Sequence, residues 1–150
     1  RFFTEVDLTA LMTELAESYA PAFEDQRRTL LWSVEPNLRI SGDRELLAQA
    51  MVNLLENAQR HTPEDTIVRL TVTLAGHSIC LQVADNGPGV PKRDLPRITK
   101  RFARLDSSRN AAGHGLGLSL VTAIAQLHGG RLILKNANPG LIATVELPRP

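Results

Sequence analysis

The sequence predicts a two-layer α/β sandwich, in which a mixed sheet carries helices on one of its faces. Three segments place apolar residues at helical spacing, and two pairs of strand-like segments are separated by turn residues, as in β-hairpins. Helical segments and hairpins follow one another in mixed order along the chain. The 150 residues are enough for one domain with a sizeable core.

The chain is expected to open with a short strand at Thr4–Val6, followed by a helix that Asp7 caps. Apolar side chains recur at helical spacing after this cap and form one stripe. The members of this stripe are Leu8, Leu11, Met12, Leu15, Tyr19 and Phe23. Pro21 lies inside the stripe, and we expect it to kink or end the helix.

The next segments predict two strands and a second helix. Thr29–Val34 and Arg39–Ser41 are strand-like and flank the turn residues Pro36-Asn37. Asp43 is a plausible cap for the second helix, which Thr62-Pro63 should end. Its buried stripe is expected to consist of Leu47, Met51, Leu54 and Ala58.

A hairpin is predicted downstream of the second helix. Ile67–Leu74 alternates between apolar and more polar positions, as a half-buried strand does. Gly76-His77 turns the chain back, and Ile79–Val83 supplies the second strand. Cys80 is the only cysteine, so no internal disulfide can form, and its apolar surroundings predict a core residue.

The C-terminal third predicts a third helix and a closing hairpin. The helix is expected from Gly117 to His128 and ends at Gly129-Gly130. Its expected buried side consists of Leu118, Val121, Ile124, Ala125, Leu127 and His128. Arg131–Asn136 and Ile142–Leu147 then pair around a turn at residues 138–140.

Composition limits the possible functions. Apolar residues make up 43% and charged residues 22%, as in an ordinary globular protein. The formal net charge is +1, so we expect no nucleic acid partner. No 18-residue apolar stretch and no signal-like N-terminus occur. The chain begins at Arg1 rather than Met, and we expect it to be a piece of a longer protein.

Charge is nevertheless concentrated in residues 86–110, where seven lysines and arginines stand against two aspartates. This region lacks clean periodicity and contains Gly, Pro, Ser and Asn. A solvated loop is the ordinary explanation for such a run. Its place between two segments suited to phosphate favours a functional lid instead.

One face of the second helix carries an unusual set of polar residues. Asn53 and Asn57 are one turn apart, and Arg60 follows on the same face. Any surface helix has a polar face, but asparagine is a poor helix former, and two in mid-helix are locally unfavourable. An asparagine oxygen suits Mg²⁺, and Arg60 is placed to meet a phosphate. His61 at the helix end is placed to stack on a base or ribose.

Two glycine-containing segments complete the pattern. Asp85 ends an apolar strand, and its carboxylate would accept a hydrogen bond from the N6 amino group of adenine, whereas the O6 of guanine would be repelled. Gly87 and Gly89 allow close approach of a ligand, although an ordinary turn also uses these residues. Gly113–Gly117 leads into the third helix, where exposed N–H groups favour phosphate. A dinucleotide-binding loop is excluded because no strand precedes this segment and no acidic residue follows at the required distance.

In this order the segments resemble the ATP-binding catalytic domain of sensor histidine kinases, within the wider group that includes gyrase, Hsp90 and the MutL proteins. Asn53–His61 is similar to the N box, Asp85–Gly89 to the G1 box and Gly113–Gly117 to the G2 box. The stretch Arg101–Arg104, with Asp106, is similar to the F box. The resemblance covers almost the whole chain.

The resemblance implies a Bergerat α/β sandwich with a mixed five-stranded sheet, three main helices on one face and an ATP lid at about residues 86–114. Residues 1–150 would form one catalytic domain that binds ATP and Mg²⁺. Asn57 would coordinate the metal with support from Asn53, Arg60 would contact phosphate, and Asp85 would bind the adenine amino group. The further nucleotide-binding and catalytic residues that it implies are His61, Gly87, Gly89, Val90, Arg101, Phe102, Arg104, Gly113, His114, Gly115, Leu116 and Gly117.

One position separates phosphoryl transfer from hydrolysis. The ATPases that resemble this chain place a glutamate one turn before the metal-binding asparagine, as the general base for water. This chain has Asn53 there, and an amide cannot accept that proton. Glu56 points about 100° away around the helix from Asn57. The resemblance therefore implies transfer of the γ-phosphoryl group to a histidine on a separate dimerisation domain.

That dimerisation domain is expected upstream of Arg1, and the chain alone should bind ATP without phosphorylating itself. The implied partners are this domain and the receiver domain of a response regulator, within a homodimeric protein. The chain would be a cytoplasmic domain, and the full protein an inner-membrane sensor kinase. A serine kinase of the anti-sigma type, a degenerate nucleotide-sensing module and a hydrolytic ATPase remain as alternatives.

The chain departs from the family pattern after the last hairpin turn. Family members usually have a serine or threonine there, followed by a phenylalanine. Gly140–Ala143 contains neither residue type. We therefore expect one polar contact near the adenine to be lost or replaced by water.

Overall fold

The computed structural model of the protein describes residues 3–88 and 114–150, with residues 114–117 described by their backbone alone. These ranges contain three helices and seven strands. The helices are α1 (Leu8–Asp25), α2 (Arg44–His61) and α3 (His114–Leu127). The strands are β1 (Thr4–Asp7), β2 (Thr29–Val34), β3 (Arg39–Gly42), β4 (Ile67–Ala75), β5 (Ser78–Asp85), β6 (Arg131–Asn136) and β7 (Leu141–Pro148).

Five strands form a mixed sheet in the order β2-β4-β5-β7-β6. Strands β2 and β4 run parallel, and the other neighbours are antiparallel. The last strand in chain order, β7, therefore lies inside the sheet between β5 and β6. Helices α1, α2 and α3 pack against this sheet, so the predicted two-layer α/β sandwich is confirmed.

The strands that flank Pro36-Asn37 belong to different sheets. Strand β2 pairs with β4, whereas β3 pairs with β1 in a separate two-stranded sheet. The side chain of Thr9 on α1 holds the turn between them, because its hydroxyl donates to the Glu35 carbonyl at 2.6 Å and accepts from the Leu38 N–H at 2.9 Å. The turn is therefore fastened to a helix rather than closing a hairpin.

Both predicted helix caps are confirmed. Asp7 accepts a hydrogen bond from the Ala10 N–H, and Asp43 accepts one from the Leu46 N–H, each at 3.0 Å. Each carboxylate thus satisfies one of the N–H groups that a helix start leaves without an internal partner. The predicted apolar stripes face inward, and Leu47 and Met51 of α2 are fully buried.

Pro21 does not end α1, which continues to Asp25. The ring is exposed, so the carbonyl of Glu17 that loses its helical partner is on the solvent side of the helix. Phe23 lies two residues further and is fully buried. Packing of this large side chain keeps the last turn helical despite the missing hydrogen bond.

The alternation in the central hairpin is confirmed, but the prediction that Cys80 belongs to the core is wrong. Ile79 and Leu81 are each 1% exposed and face the helices. Cys80 lies between them and therefore points to the opposite face of the sheet, where it is half-buried. Burial, and to a smaller extent the charge of Glu146 on the neighbouring strand, raises the pKa of the Cys80 thiol.

Helix α3 begins at His114, three residues before the predicted start at Gly117, and it ends at Leu127, just before the two glycines that were predicted to end it. The Gly129 N–H donates to the Gln126 carbonyl at 3.0 Å, and the Gly130 N–H donates to the Ala125 carbonyl at 2.8 Å. Leu127 was expected on the buried side, but it is 50% exposed. It lies about 200° around the helix from the buried Ala125, so it faces solvent.

Candidate functional site

A cavity opens between α2 and the ends of two central strands. Helix α2 supplies one wall, and β5 and β7 supply the other. Its lining residues are Leu54, Asn57, Ala58, His61, Val83, Asp85, Leu141 and Ala143. Five of these eight side chains are aliphatic, so polar groups are few and their positions decide what the cavity can bind.

The carboxylate of Asp85 is the charged group in the wall that the strands supply. Asp85 is the last residue of β5 and is half-buried. Its Oδ1 accepts hydrogen bonds from the Gly87 N–H at 2.9 Å and from the Leu141 N–H at 3.4 Å. Burial raises the pKa of the Asp85 carboxyl, and these two hydrogen bonds oppose the rise. Both bonds use the same oxygen, so they orient the group without occupying Oδ2.

Two glycines allow the backbone to close around Asp85. A Cβ atom on Gly140 would lie 1.7 Å from the Asp85 carbonyl oxygen, so only glycine fits at this position. Gly140 also has a φ of +100°, which other residues rarely adopt. At Gly87 a Cβ atom would lie 3.1 Å from Oδ1 of Asp85. The turn between β6 and β7 therefore packs directly against the end of β5.

Only some of the polar residues predicted on α2 line the cavity. Asn57 and His61 line the cavity together with Asp85. Asn53 lies one turn earlier and is half-buried, and Arg60 is exposed at the end of the helix. The structure therefore brings together one predicted metal ligand, the residue predicted to flank the nucleotide and the residue predicted to select adenine.

Glu56 is directed away from the cavity, as helix geometry predicted. Its carboxylate accepts a hydrogen bond from the Tyr19 hydroxyl of α1 at 3.2 Å. Burial is the main cause that raises the pKa of the Tyr19 hydroxyl, and the charge of Glu56 adds to it. This acidic side chain is therefore part of the α1–α2 contact and does not face the cavity.

The second glycine-rich segment begins a helix, since α3 starts at His114. The Gly113–Gly117 segment was predicted to precede a helix that starts at Gly117, so the structure corrects this prediction and places residues 114–117 inside the helix. The remaining predicted residues lie outside the described part of the chain. They are Gly89, Val90, Arg101, Phe102, Arg104 and Gly113, together with nearly all of the predicted lid.

The apolar walls of the cavity were not predicted from the sequence. Leu54 and Ala58 were expected in the core stripe, and Leu141 and Ala143 were noticed only as a departure from a family pattern. Val83 and Ala143 face each other across β5 and β7. Only the strand order places them together, and no local pattern in the sequence encodes that order.

Among the described residues, no group of three or more His, Cys, Asp and Glu side chains is arranged to hold a metal ion. A metal at this cavity would therefore depend on amide oxygens and on the oxygens of a ligand. Asn57 has the required chemistry, because Mg²⁺ commonly takes one or two protein oxygens and completes its shell with phosphates and water.

Comparisons with known proteins agree with this geometry. The family model described as histidine kinase-, DNA gyrase B-, and HSP90-like ATPase matches residues 42–150. The signal transduction histidine-protein kinase BaeS of Escherichia coli (strain K12) is 34% identical over 146 residues, which cover 95% of this chain and 31% of BaeS. The chain thus spans about a third of the length of this curated relative.

Solved structures extend the comparison to the fold. The nucleotide-free catalytic domain of histidine kinase ThkA matches with a TM-score of 0.85 and 25% identity, and the match covers 99% of both chains. Full-length ShkA in complex with AMPPNP matches with a TM-score of 0.82 and 28% identity over 98% of this chain and 31% of ShkA. The similarity to the catalytic domain of ThkA thus extends over nearly the whole of this chain.

Proposed function

The chain belongs to the histidine kinase-, DNA gyrase B- and HSP90-like ATPase family and is an ATPase domain of the sensor histidine kinase type, and from this premise we propose that its cavity holds ATP·Mg²⁺ for phosphoryl transfer to a histidine. Family membership implies ATP binding. The individual roles of the residues, the metal and the acceptor are the content of the proposal.

The observation that supports this proposal is the position of the Asp85 carboxylate in a mostly apolar cavity, whose lining also includes Asn57. The hydrogen bonds from Gly87 and Leu141 hold Oδ1, which leaves Oδ2 to accept a hydrogen bond from the adenine amino group. Leu54, Ala58 and Val83 line the cavity, so they would contact the faces and edges of the base. These contacts support selection of adenine over guanine.

The phosphate end of the ligand would lie toward α2 and the start of α3. Asn57 would hold Mg²⁺ through its amide oxygen, Asn53 would support it one turn earlier, and Arg60 would contact a phosphate oxygen. The N–H groups at the start of α3 suit the phosphate chain, because a helix N-terminus carries partial positive charge. Bound Mg²⁺ would neutralise phosphate charge.

The residues around Asn57 favour transfer over hydrolysis. Asn53 is an amide at the place where a general base for water would be needed, and Glu56 is bonded to Tyr19 on α1. A nucleophile from another domain would attack the γ-phosphorus while the bond to the bridging oxygen of ADP breaks. The domain would contribute mainly position and charge neutralisation.

In the whole protein the acceptor would be an imidazole nitrogen on a dimerisation domain, from which a response regulator would take the phosphoryl group. Since the chain spans about a third of BaeS, these partners, a homodimeric state and a membrane-anchored sensor belong to the proposal. Within the described residues, no helix has the length and apolar character that crossing a membrane requires.

The experiment has two stages. Calorimetric titration with ATP and Mg²⁺ should show binding, and Asp85→Asn should weaken it about 10–100-fold, because a hydrogen bond to a charged group is lost. Incubation with a matched dimerisation domain and labelled ATP should then give an acid-labile phosphoryl label, which Asn57→Ala should abolish in a folded protein.

Other results would contradict the proposal in distinct ways. An acid-stable label would indicate a serine kinase, and binding without transfer would indicate a nucleotide-sensing module. Release of phosphate without an acceptor would indicate a hydrolytic ATPase. Failure of the unmodified chain to bind ATP would remove the basis of the assignment.

A further inference from the structure

The end of α2 lacks the usual means of closing a helix. Thr62 follows the helix in an extended conformation, with φ of −121° and ψ of 151°, and Pro63 comes next. No glycine is present there to bring N–H groups back to the last carbonyls. The hydroxyl of Thr62 instead donates to the Ala58 carbonyl at 2.6 Å, which satisfies one of the orphan acceptors.

Arg28, from the connection between α1 and β2, completes this closure. Its Nε–H donates to Oγ1 of Thr62 at 3.0 Å, and an Nη2–H donates to the Thr62 carbonyl. A third hydrogen bond, from Nη1 to the Gln26 carbonyl at 3.0 Å, fixes the guanidinium group against its own loop. A positive charge at a helix C-terminus is favourable, and the planar fork of arginine suits these fixed directions.

The backbones on either side reinforce the contact. The Asp65 N–H donates to the Arg27 carbonyl at 2.7 Å, and the Thr29 N–H donates to the Thr66 carbonyl at 3.1 Å. The connection that carries Arg28 therefore runs along the segment that leaves α2. Arg28 is half-buried in this arrangement, and Thr62 is only 7% exposed.

Thr62 also lies beside the turn that follows Asp85. A Cβ atom on Gly87 would lie 3.3 Å from Cγ2 of Thr62, so the methyl group of Thr62 occupies the space next to Gly87. Gly87 is the residue whose N–H holds Oδ1 of Asp85. On the other side, Thr62 directly follows His61, which lines the cavity with Asn57. One threonine thus connects the α2 wall to the Asp85 turn, and Arg28 holds that threonine.

We propose that Arg28 is a positioning residue of the nucleotide site, which sets the distance between the last turn of α2 and the Asp85–Gly87 turn through Thr62. It contacts no part of the cavity lining directly. The inference rests on the proposed function, because its consequence is measured on a bound nucleotide.

Arg27 offers a matched control in the adjacent position. It pairs with Glu64 at 3.8 Å, and both side chains are mostly exposed, at 72% and 65%. Such an exposed pair contributes little to a folded structure. Arg27→Gln and Arg28→Gln therefore remove the same charge from the same loop, but only the second removes the closure of α2.

The experiment measures the affinity of the chain for ATP and Mg²⁺ at a temperature where circular dichroism shows each variant fully folded. Arg28→Gln should bind about tenfold more weakly, the effect of one lost hydrogen bond from a charged group, and Arg27→Gln should bind as the unmodified chain does. Hydrogen exchange of residues 57–62 without nucleotide should be faster in Arg28→Gln alone. A purely structural role would lower the urea midpoint and leave the affinity of the folded protein unchanged, which would overturn the proposal.

A second pair of variants covers the case in which Arg28→Gln does not fold. Thr62→Ser keeps the hydroxyl and should bind ATP within about twofold of the unmodified chain, whereas Thr62→Val keeps the volume and should bind several-fold more weakly. Equal affinities for this pair would overturn the inference. If the unmodified chain binds no ATP, the proposed function fails, while the exchange measurement still decides whether Arg28 holds the end of α2.

Discussion

Helices α2 and α3, which pack against each other, end in opposite ways. Helix α3 closes itself with Gly129 and Gly130, whose N–H groups return to carbonyls of the last turn. Helix α2 depends on Arg28, which is more than thirty positions away from Thr62 in the sequence. The end of α3 is closed by hydrogen bonds within its own last turn. The end of α2 is closed by Arg28 from another part of the fold, so a displacement of Arg28 also displaces the end of α2. The helix that carries Asn57 and His61 is the one closed from a distance.

The self-closing end of α3 also stabilises α2 at its start. His128, next to Gly129, accepts a hydrogen bond at Nε2 from the Asp43 N–H at 3.0 Å, and its Nδ1 is 2.9 Å from the Ile124 carbonyl. These partners assign the proton to Nδ1. The ring of Phe3 stacks on His128 with centroids 4.7 Å apart. Helix α2 is thus held at both ends by residues from other elements.

The largest expected effect comes from breaking the closure of α3. A Cβ atom on Gly130 would lie 1.9 Å from the Glu146 carbonyl oxygen, so Gly130→Ala must displace β7 from the helix. We expect it to lower the free energy of unfolding by about 3–4 kcal/mol, as severe overpacking does. Urea denaturation followed by circular dichroism measures this loss.

Gly76→Ala is the matched control, since Gly76 has a φ of +62° and nothing within 4 Å of the added carbon. Backbone strain alone should cost about 1 kcal/mol there. Equal losses for the two variants would mean that the close approach of Gly130 to β7 is not the cause of the loss.

The next effect tests the link from α3 to α2. His128→Leu leaves the Asp43 N–H without its acceptor at a half-buried helix start, which we expect to cost about 2 kcal/mol in the free energy of unfolding. Leu127→Ala changes the preceding, half-exposed side chain and should cost less than about 0.5–1 kcal/mol. A larger loss for Leu127→Ala than for His128→Leu, in urea denaturation, would reverse this ranking.

How far the sequence predicts this molecule depends on the range of each interaction. Asp7, Asp43 and Gly129-Gly130 act within one helical turn, so their residue types and spacing were sufficient to predict the helix ends. The alternation of Ile67–Leu74 likewise identified its buried face. Each of these features is decided by neighbours in the chain, and each was confirmed.

Features decided by distant neighbours were not predictable in this way. Cys80 was assigned to the core because its neighbours are apolar, but the pleat of β5 directs it to the other face. Arg28 has no sequence signature, because its partners are assembled only by the fold. The cavity was predicted through Asn57, His61 and Asp85, whereas its apolar walls required the position of β7 in the sheet.

The pH dependence of the free energy of unfolding gives a further test of the α2 end, because the half-buried carboxyl of Asp85 lies next to it. Burial raises the pKa of Asp85, so its contribution to stability is fully present below the pKa of the unfolded chain and is lost as pH rises through the folded value. Asp85→Asn should therefore be more stable than the unmodified chain at neutral pH, by no more than about 1 kcal/mol. Urea denaturation at a series of pH values should show this difference shrink on acidification. A difference that is constant with pH would exclude the ionised carboxylate as its cause.

The smallest effects concern the contact between α1 and α2. Tyr19→Phe removes the hydroxyl that donates to Glu56 and should lower the free energy of unfolding by about 0.5–1 kcal/mol. Glu14→Gln breaks the exposed pair of Glu14 with Arg44, at 3.3 Å, and should cost about 0–0.5 kcal/mol. Neither should change the affinity for ATP, because neither contact touches the cavity. Weaker ATP binding by Tyr19→Phe would mean that the α1 side of α2 also sets the site.

The place of β7 has a consequence for biosynthesis. This strand is made after every other described strand, yet it lies between β5 and β6 and brings Leu141 and Ala143 to the cavity. A nascent chain on the ribosome that has not yet reached Leu141 therefore has neither a continuous sheet nor a closed wall beside Asp85. We therefore expect that a product terminated before Leu141 does not bind ATP, because it lacks the strand that completes the sheet and this wall of the cavity.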